Sequence, residues 1–180
     1  AGVKIGNFVW SPDGKYIAFT NTRPDGIELW FADAATGALT NVKAMKVNAM
    51  FGGFAGGPVE WLPDGKTLLC RTIPSNRGAA PPEPRVPVGP TVQESFGKNS
   101  PVRTYQDLLK NAHDEELFEF YGTSELAYVS VPTAKVTRFG APGLYTSISP
   151  SPDGKFLLAT RIHKPFSYLF PYNDFPEEIS

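Results

Sequence analysis

The sequence has little or nothing of what several classes of functional site require. Its single cysteine, Cys70, excludes an internal disulfide and any metal site built from several cysteines. With 17 Lys and Arg residues against 18 Asp and Glu residues, the formal net charge of -1 gives no general attraction for nucleic acid or for an anionic membrane surface. No glycine-rich phosphate loop ending in Lys-Ser or Lys-Thr is present, so we predict no bound nucleotide.

Long apolar runs are also missing. No run reaches the roughly 18 residues that a membrane-spanning helix needs, so we predict no membrane association. The N-terminus, which begins at Ala1, lacks the basic and apolar regions of a signal peptide, and we expect the chain to be a fragment of a longer protein. Hydrophobic residues make up 41% of the 180 residues, and aromatic residues make up 13%. This length and composition are enough for one folded domain with a sizeable core.

One ten-residue pattern occurs three times, at residues 10–19, 61–70 and 150–159. Each copy places Pro-Asp-Gly between two apolar runs. Proline presets the φ angle of the second position of a type I turn, and glycine suits the last position. The pattern therefore predicts a strand, a tight turn and a second strand in each copy.

The aspartates of these three copies are Asp13, Asp64 and Asp153. Carboxylates that recur in this way could indicate a metal site, but their fixed place in a turn favours hydrogen bonds to the backbone. We therefore predict no metal and no other cofactor in this chain.

Two-stranded ribbons cannot bury their faces alone, so the repeated ribbons must stack into a larger array. The spacing favours an all-β fold, a partial β-propeller of four-stranded antiparallel blades. We predict a single domain over residues 1–180, with one complete blade at 1–44 and a second at 57–140 that is interrupted by an insertion at 74–121. An incomplete blade at 144–180 brings the total to about two and two-thirds blades, fewer than the four or more that closed propellers have.

The alternation of apolar and polar residues places the strands within these blades. They are predicted at residues 8–10, 15–21, 27–33, 39–42, 59–61, 66–73, 125–131, 136–139, 144–150, 155–163 and 167–172. A glycine-rich stretch at 50–58 lies between the first two blades. It is either a connector or a binding loop.

The insertion has two parts of different character. Residues 74–101 hold seven of the 18 prolines of the chain, which favours extended backbone on a surface. Residues 102–112 follow Ser100 and Pro101 with apolar side chains at helical spacing, which predicts a short helix. Residues 111–114 then indicate a break before a second apolar stripe at Leu117, Phe118 and Tyr121. This helical pair either covers a blade edge or forms a lid that faces substrate.

Three further stretches, in the same order along the chain, carry a resemblance to a known family. They are residues 70–78, 101–110 and 162–168. Together with the three turns, they resemble the non-catalytic propeller of the prolyl oligopeptidase family of serine peptidases, in particular its glutamyl endopeptidase branch, known from chloroplasts and with bacterial relatives. The turn motif alone is shared with TolB-type propellers, so the three stretches are the specific part of the resemblance.

This resemblance implies a parent protein with an N-terminal propeller and a C-terminal α/β-hydrolase domain that cleaves peptides by a Ser-His-Asp mechanism. No Gly-x-Ser-x-Gly elbow occurs in the 180 residues, so we assign no catalytic residue and expect the segment to be no enzyme by itself. The implied role is to gate access to the active site and to contribute to peptide binding. A bacterial member would be periplasmic or secreted.

Three residues are candidates for substrate binding. An enzyme that prefers Glu must meet a carboxylate with a cation, and Arg77 and Arg103, which lie in the stretches that carry the resemblance, offer paired hydrogen bonds. His163 could face the central cavity and contact peptide. The structural alternatives are an arginine paired with a nearby Asp or Glu, and a hydrogen-bonded histidine at a strand end. Tyr168 is predicted to lie in the core.

Three functions therefore stay open from the sequence. The first is a peptidase propeller whose partners are the α/β-hydrolase domain and the peptide substrate. The second is a TolB-like propeller module that binds protein partners without chemistry, and the third is a structural role in which the blades dock onto a neighbouring domain. Open blade edges also predict edge-to-edge self-association.

Overall fold

The computed structural model of the chain describes residues 4–52, 56–84 and 108–180. Antiparallel strands dominate these ranges, and no helix within them is long and apolar enough to cross a membrane. Helix α1 spans Ala112–Gly122, and a 3-10 turn spans Tyr172–Asp174. The strands are β1 (Lys4–Trp10), β2 (Tyr16–Arg23), β3 (Gly26–Asp33), β4 (Leu39–Asn41), β5 (Val59–Trp61), β6 (Thr67–Thr72), β7 (Ser124–Ser130), β8 (Lys135–Pro150), β9 (Leu157–Ile162) and β10 (Glu177–Ile179).

Blade 1 consists of β1 to β4, which pair in chain order as a four-stranded antiparallel sheet. β2 and β3 form a continuous ladder from the pair Tyr16 and Asp33 to the pair Arg23 and Gly26. Because side chains alternate along a strand, β2 turns Ala18 to the buried face, as its sequence pattern predicts. The predicted four-stranded antiparallel blade is therefore present.

The second sheet has six strands in the order β10-β9-β8-β7-β6-β5, and β8 joins its two halves. Residues 135–139 of β8 pair with β7, whereas residues 144–150 pair with β9. Blade 2 here denotes β5, β6, β7 and residues 135–139, and blade 3 denotes residues 144–150, β9 and β10. The prediction of two separate strands is wrong at this point, because Gly140, with a φ of 70°, redirects the chain between the blades without ending the strand.

The third strand of blade 3 lies later in the chain than the sequence predicts. Residues 167–172 are not a strand, and the position is taken by β10, whose Ile179 pairs with Thr160 of β9. Tyr172, at the end of the predicted strand, packs instead against the buried core cluster that contains Phe51 and Phe118. Its ring is therefore partly buried by a loop and does not lie in a ladder.

The first Pro-Asp-Gly turn is held by its own side chains. The Gly14 N–H donates to the Ser11 carbonyl at 2.9 Å, and the Ser11 hydroxyl donates to the Asp13 carboxylate at 2.8 Å. The same carboxylate accepts from the Lys15 N–H at 3.1 Å. Gly14 has a φ of 70°, a conformation that favours glycine. The hydrogen bonds of Asp13 to the turn are those that the sequence predicts.

The other two copies show how far this turn tolerates substitution. In the third copy, the Ser151 hydroxyl donates to the Asp153 carboxylate at 2.7 Å, as in the first. In the second copy, Leu62 stands in place of the serine and has no hydroxyl. There the Thr67 hydroxyl donates to Asp64 at 2.7 Å, and the Thr67 N–H donates to the same side chain at 2.9 Å. The aspartate is thus the constant acceptor of the motif: the N–H of the lysine two residues later donates to it in every copy, and only the hydroxyl donor changes.

The turn carboxylates predict an acid-sensitive fold. Hydrogen bonds from the Ser11 hydroxyl and the Lys15 N–H hold the pKa of Asp13 at about 2, below the ordinary value of 3.8. A carboxyl group whose pKa is lowered by folding stabilises the folded state above its unfolded-state pKa, and this effect is lost as the pH falls through the folded-state pKa. We expect the urea midpoint of the wild-type chain to fall between about pH 4 and about pH 2, and Asp13→Asn to show a lower midpoint at neutral pH and a smaller fall.

The exposed Glu83→Gln, on the proline-rich stretch, is the matched control for this titration and should keep the full fall. An Asp13→Asn variant with the wild-type midpoint at every pH would contradict the prediction.

Blades 1 and 2 pack face to face. The Trp61 ring stacks on the Tyr16 ring with 6.4 Å between their centres, and the Trp61 Nε1–H donates to the Val9 carbonyl at 3.0 Å. Burial of the apolar side chains in this interface is the main source of stability. Its buried members include Ala18, Leu29, Phe31, Val59, Trp61, Leu68, Cys70 and Val129. A second cluster, with Leu69, Leu126, Ile148 and Ala159, joins blade 2 to blade 3.

The three turns lie side by side at one end of this row of blades. A Cβ atom placed on Gly65 would lie 3.2 Å from the Asp13 Cγ, and one placed on Gly154 would lie 3.6 Å from the Pro63 Cδ. Since each turn is next to that of the following blade, the three copies of the motif occupy equivalent places. This is the arrangement of consecutive blades that the repeat predicts.

Candidate functional site

The candidate site lies at the end of the blades away from the Pro-Asp-Gly turns. There β6 leads into the insertion, and β9 leads into the loop 163–176. Helix α1 begins after Asn111, whose side-chain oxygen accepts from the Asp114 N–H at 2.9 Å. Asp114 and Glu115 place negative charge in the first turn, where the helix dipole favours it.

The sequence locates this helix only in part. The predicted break at 111–114 is wrong, because Asn111 caps the helix and Ala112 begins it. The earlier helix predicted at 102–112 falls mainly outside the described residues, and residues 108–111, which are described, are not helical. The second apolar stripe does form a helix, although only Phe118 of its predicted members is buried.

Phe118 fixes α1 to the body of the protein. Its ring lies 5.1 Å from that of Phe166, 5.6 Å from that of Phe175 and 5.7 Å from that of Phe51, measured between centres. The residues in contact come from the loop 163–176 and from the connector between blades 1 and 2. Helix α1 is therefore packed against both segments, which favours a cover over a free lid.

The C-terminal end of α1 is fixed as well. The Asn48 side-chain amide donates to the Tyr121 carbonyl at 2.8 Å and to the Thr123 carbonyl at 3.0 Å, which satisfies carbonyls that a helix end leaves unpaired. Gly122 allows the close approach of the helix, since a Cβ atom there would lie 2.8 Å from the Leu144 Cδ2 and 2.9 Å from the Phe51 Cζ. Phe51, near the start of the glycine-rich stretch, is thus part of the core, while the choice between connector and binding loop for the whole stretch stays a prediction.

A cleft of about 420 Å³ lies between the proline-rich stretch and the outer side of α1. This volume is within the range of roughly 300–1,000 Å³ that small-ligand sites occupy. Apolar groups form much of the lining, and one cation and two carboxylates stand among them. The lining includes Pro74, Arg77, Pro81, Glu116, Glu119 and Phe120.

Arg77 is the cation of this cleft. The Arg77 backbone N–H donates to the Pro74 carbonyl at 3.2 Å and closes a turn. The guanidinium carbon lies 4.6 Å from the centre of the Phe120 ring. No salt bridge joins Arg77 to a carboxylate in the part of the chain that the structure describes. The guanidinium thus lies over an aromatic ring, and its donors have no carboxylate partner among those residues.

The two carboxylates of the cleft have partners of their own. Glu119 pairs with the Lys164 ammonium at 2.7 Å, and this hydrogen bond raises the pKa of Lys164. Glu116 lies 3.8 Å from His113 Nδ1. Because Glu119 is neutralised by a cation, it opposes an incoming anion less than an isolated carboxylate would.

His163 is not among the residues that line this cleft. It follows β9 directly, its N–H donates to the Pro176 carbonyl at 3.0 Å, and its ring Nδ1 lies 2.8 Å from the Lys164 carbonyl. The residue is exposed. This is the hydrogen-bonded histidine at a strand end that the sequence offers as the structural alternative, and its role in peptide binding stays a prediction.

Two other sequence expectations have different outcomes. Arg103 lies outside the described residues, so its role stays a prediction as well. Tyr168 is only half-buried, which contradicts the expectation that it lies in the core. A hydrogen bond to Glu115 of α1 raises the pKa of Tyr168 and ties the loop 163–176 to the helix.

Arg71 is a buried cation that the sequence analysis does not single out. It is 1% exposed, and its guanidinium donates to the Tyr145 and Thr146 carbonyls at 2.8 Å each and to the Phe51 carbonyl at 2.6 Å. Burial lowers the pKa of Arg71 to about 10, so it stays a cation at neutral pH. Its neighbour Cys70 is also buried, and burial raises the pKa of that thiol, which makes it a poor nucleophile.

The sequence signals that could have identified Phe120 and Arg71 differ. Phe120 follows Phe118 by two positions, or about 200° around a helix, so a helix that buries Phe118 must turn Phe120 outward toward Arg77. The outward position of Phe120 can therefore be predicted from the sequence once the start of the helix is known. Nothing local in the sequence distinguishes Arg71 from a surface arginine, because its partners are carbonyls of distant segments.

Comparison with known proteins confirms the resemblance. The chain is 38% identical over 188 aligned residues to the probable chloroplastic glutamyl endopeptidase of Oryza sativa subsp. japonica, and 39% identical over 187 to that of Arabidopsis thaliana. Each match covers 99% of the chain but only 19% of the relative. The chain thus spans about a fifth of the length of these curated relatives. No protein-family model matches it.

Two solved acylaminoacyl peptidase structures show the same fold over almost the whole chain. Acylaminoacyl peptidase of Pyrococcus horikoshii matches 98% of the chain with a TM-score of 0.50 and 19% identity, over 24% of its own length. An acylaminoacyl peptidase in complex with Z-Gly-Gly-Phe-chloromethyl ketone matches 98% of the chain with a TM-score of 0.51 and 18% identity, over 25% of its own length. The predicted all-β partial propeller is therefore confirmed as the fold class.

Proposed function

We propose, since the chain is homologous to the matched region of the glutamyl endopeptidases, that it is a non-catalytic propeller segment of a serine endopeptidase. The observation that carries this proposal is the match of 99% of the chain to a continuous fifth of those relatives. In the proposed longer protein, an α/β-hydrolase domain supplies the Ser-His-Asp chemistry, and the blades border the path by which peptide reaches it.

Arg77 supports the finer proposal that this segment takes part in the choice of Glu. A guanidinium binds a carboxylate best through two parallel hydrogen bonds, and the Phe120 ring, 4.6 Å from the guanidinium carbon, supports the Arg77 side chain in the cleft. The apolar lining of the cleft would bury the methylene groups of a glutamate side chain. The same cleft supports the proposed gating role, because a peptide segment bound in it would contact both the proline-rich stretch and α1.

A chimera tests both levels of the proposal. The matched region of the rice relative is replaced by this chain, and hydrolysis of a peptide with a single Glu is compared with that of its Gln counterpart. We expect the chimera to cleave the Glu peptide. Arg77→Gln should lower kcat/KM for that peptide by roughly 10- to 100-fold, since a hydrogen bond to a charged group contributes about 1.5–3 kcal/mol.

Three controls accompany this experiment. Arg23→Gln, on the turn between β2 and β3, should leave kcat/KM unchanged, and the 180-residue chain alone should hydrolyse neither peptide. An equal fall for the Glu and Gln peptides in Arg77→Gln would contradict carboxylate recognition while leaving the propeller role intact. An inactive but folded chimera would contradict the propeller role itself.

No observation favours the TolB-like binding module. The solved TolB structure from Agrobacterium tumefaciens matches with a TM-score of 0.45, and that from Acinetobacter baumannii with 0.38, values too low to support an argument.

A further inference from the structure

Glu119 stands on α1 between the loop 163–176 and the cleft. Successive residues of a helix are about 100° apart, so Glu119 lies one step from the buried Phe118 and one step from Phe120, which lines the cleft. The Glu119 carboxylate accepts a hydrogen bond from the Lys164 ammonium at 2.7 Å, and the same residue lines the cleft. Glu119 is therefore the side chain through which the loop reaches the cleft.

Lys164 is held in place by the residues on both sides of it. On one side, the His163 N–H donates to the Pro176 carbonyl at 3.0 Å, and the His163 Nδ1 lies 2.8 Å from the Lys164 carbonyl. On the other side, the Phe166 ring lies 5.1 Å from that of Phe118, and the Lys164 ammonium lies 5.7 Å from the centre of the Phe166 ring. The backbone that carries the ammonium is thus tied to the core.

The ion pair between Lys164 and Glu119 is not what holds α1. The two side chains are 56% and 39% exposed, and pairs this exposed add little to stability. The helix is held instead by Phe118 and by the Asn48 amide at its C-terminal end. What the pair changes is the charge of the cleft.

Among the described residues, the charged side chains that line the cleft are Arg77, Glu116 and Glu119, one cation against two carboxylates. A lining with this excess of negative charge would repel the carboxylate of a glutamate. The Lys164 ammonium cancels the charge of Glu119. Glu116 has His113 at 3.8 Å, and that ring is charged only when it is protonated. Lys164 is thus the permanent cation that balances the lining.

We propose, resting on the function proposed above, that Lys164 makes the cleft selective for glutamate by neutralising Glu119. Without Lys164, Glu119 would repel the substrate carboxylate and compete with it for the donors of Arg77, which lines the same cleft. Lys164 itself is not among the lining residues, so it is a positioning residue that acts through Glu119.

The test uses the chimeric peptidase and measures the ratio of kcat/KM for the Glu peptide to kcat/KM for the Gln peptide. Lys164→Met should lower this ratio by roughly 3- to 30-fold, because an uncompensated unit charge acts on the charged substrate and not on its neutral counterpart. Higher salt should restore part of the ratio by screening that charge. Lys164→Arg, which keeps the cation, should keep the ratio.

A double variant separates action through Glu119 from direct contact with substrate. Lys164→Met combined with Glu119→Gln should restore the wild-type ratio, because the cation has no charge left to cancel. Glu119→Gln alone should not lower the ratio. A double variant as unselective as Lys164→Met would overturn the proposal, since Lys164 would then act on the substrate itself.

Lys155→Met is the matched control. Lys155 pairs with Asp153 at 3.4 Å in the third Pro-Asp-Gly turn, at the opposite end of the blades, so this variant removes the same charge and should keep the ratio. The inference is also wrong if Lys164→Met lowers cleavage of both peptides equally, or keeps the wild-type ratio while Arg77→Gln lowers it. If Arg77→Gln leaves the ratio unchanged as well, the proposed selectivity of the cleft fails, and the role of Lys164 fails with it.

Discussion

Arg71→Met is expected to lower the free energy of unfolding by about 3–9 kcal/mol, because it leaves three buried carbonyls without donors at about 1–3 kcal/mol each. The three acceptors, on Phe51, Tyr145 and Thr146, come from the connector and from blade 3, while Arg71 itself lies on β6 of blade 2. A single side chain thus joins three segments. Since domains of this size are stable by about 5–15 kcal/mol, the variant should be close to unfolding.

The shape of the arginine matters as well as its charge. Its planar fork reaches carbonyls in different directions at once, whereas a lysine ammonium is a compact point charge on a flexible stem. Arg71→Lys should therefore recover only part of the loss. Urea denaturation followed by tryptophan fluorescence and circular dichroism measures all three proteins.

Arg138→Met is the control for this change. Arg138 is exposed, yet its guanidinium also donates to a carbonyl, that of Ala44, at 3.0 Å, and its Nε lies 3.2 Å from the Glu125 carboxylate. Because water can replace the donor to Ala44 and a partly exposed ion pair contributes about 0–1 kcal/mol, we expect a loss of about 1–2 kcal/mol. If Arg71→Met were no more destabilising than Arg138→Met, the buried carbonyls would have other donors, and the joining role of Arg71 would be wrong.

The parts of the fold that the sequence predicts are those fixed by local chemistry. The Pro-Asp-Gly turns need only the φ preference of Gly14 and its equivalents and the acceptor on Asp13, so their pattern identifies them without knowledge of the rest. Strand alternation then identifies the ribbons on either side. These two signals are enough to predict stacked blades.

The parts that the sequence does not predict depend on distant partners. Arg71 is buried only because the chain brings the Tyr145 carbonyl to it across 74 positions. β8 continues past Gly140 because both neighbouring blades supply strands to pair with it. Tyr172 lies outside a strand because its ring packs against an aromatic cluster formed by other segments.

The candidate site also combines a feature that the sequence indicates with one that depends on distant residues. Arg77 was singled out by the resemblance, but the ring that orients it could not be, because that ring belongs to a helix whose start depends on the Asn111 cap. The side chains of Asn111 and Asp114 indicate a break as readily as a helix start. Packing of Phe118 decides between the two, and this packing involves residues more than 40 positions away.

Phe118→Ala is expected to lower the free energy of unfolding by about 3–5 kcal/mol and to unfold α1 locally. The side chain is 8% exposed and contacts four other aromatic rings, so truncation removes buried apolar surface and leaves a cavity. Helix α1 has 11 residues, too few to be stable without its tertiary contacts. Hydrogen exchange of the amides of residues 116–122 should therefore accelerate toward the rate of an unfolded peptide.

Phe120→Ala, two positions along the same helix, separates anchoring from binding. The Phe120 ring is half-buried and faces Arg77, so its removal should cost less than about 1.5 kcal/mol and leave the amide protection of α1 in place. In the chimeric peptidase, both variants should weaken cleavage of the Glu peptide, Phe118→Ala by loss of the helix and Phe120→Ala by loss of the orientation of Arg77. Full protection of α1 in Phe118→Ala would mean that Asn48 and Gly122 hold the helix without the aromatic cluster, and the cleft would then depend on those two residues.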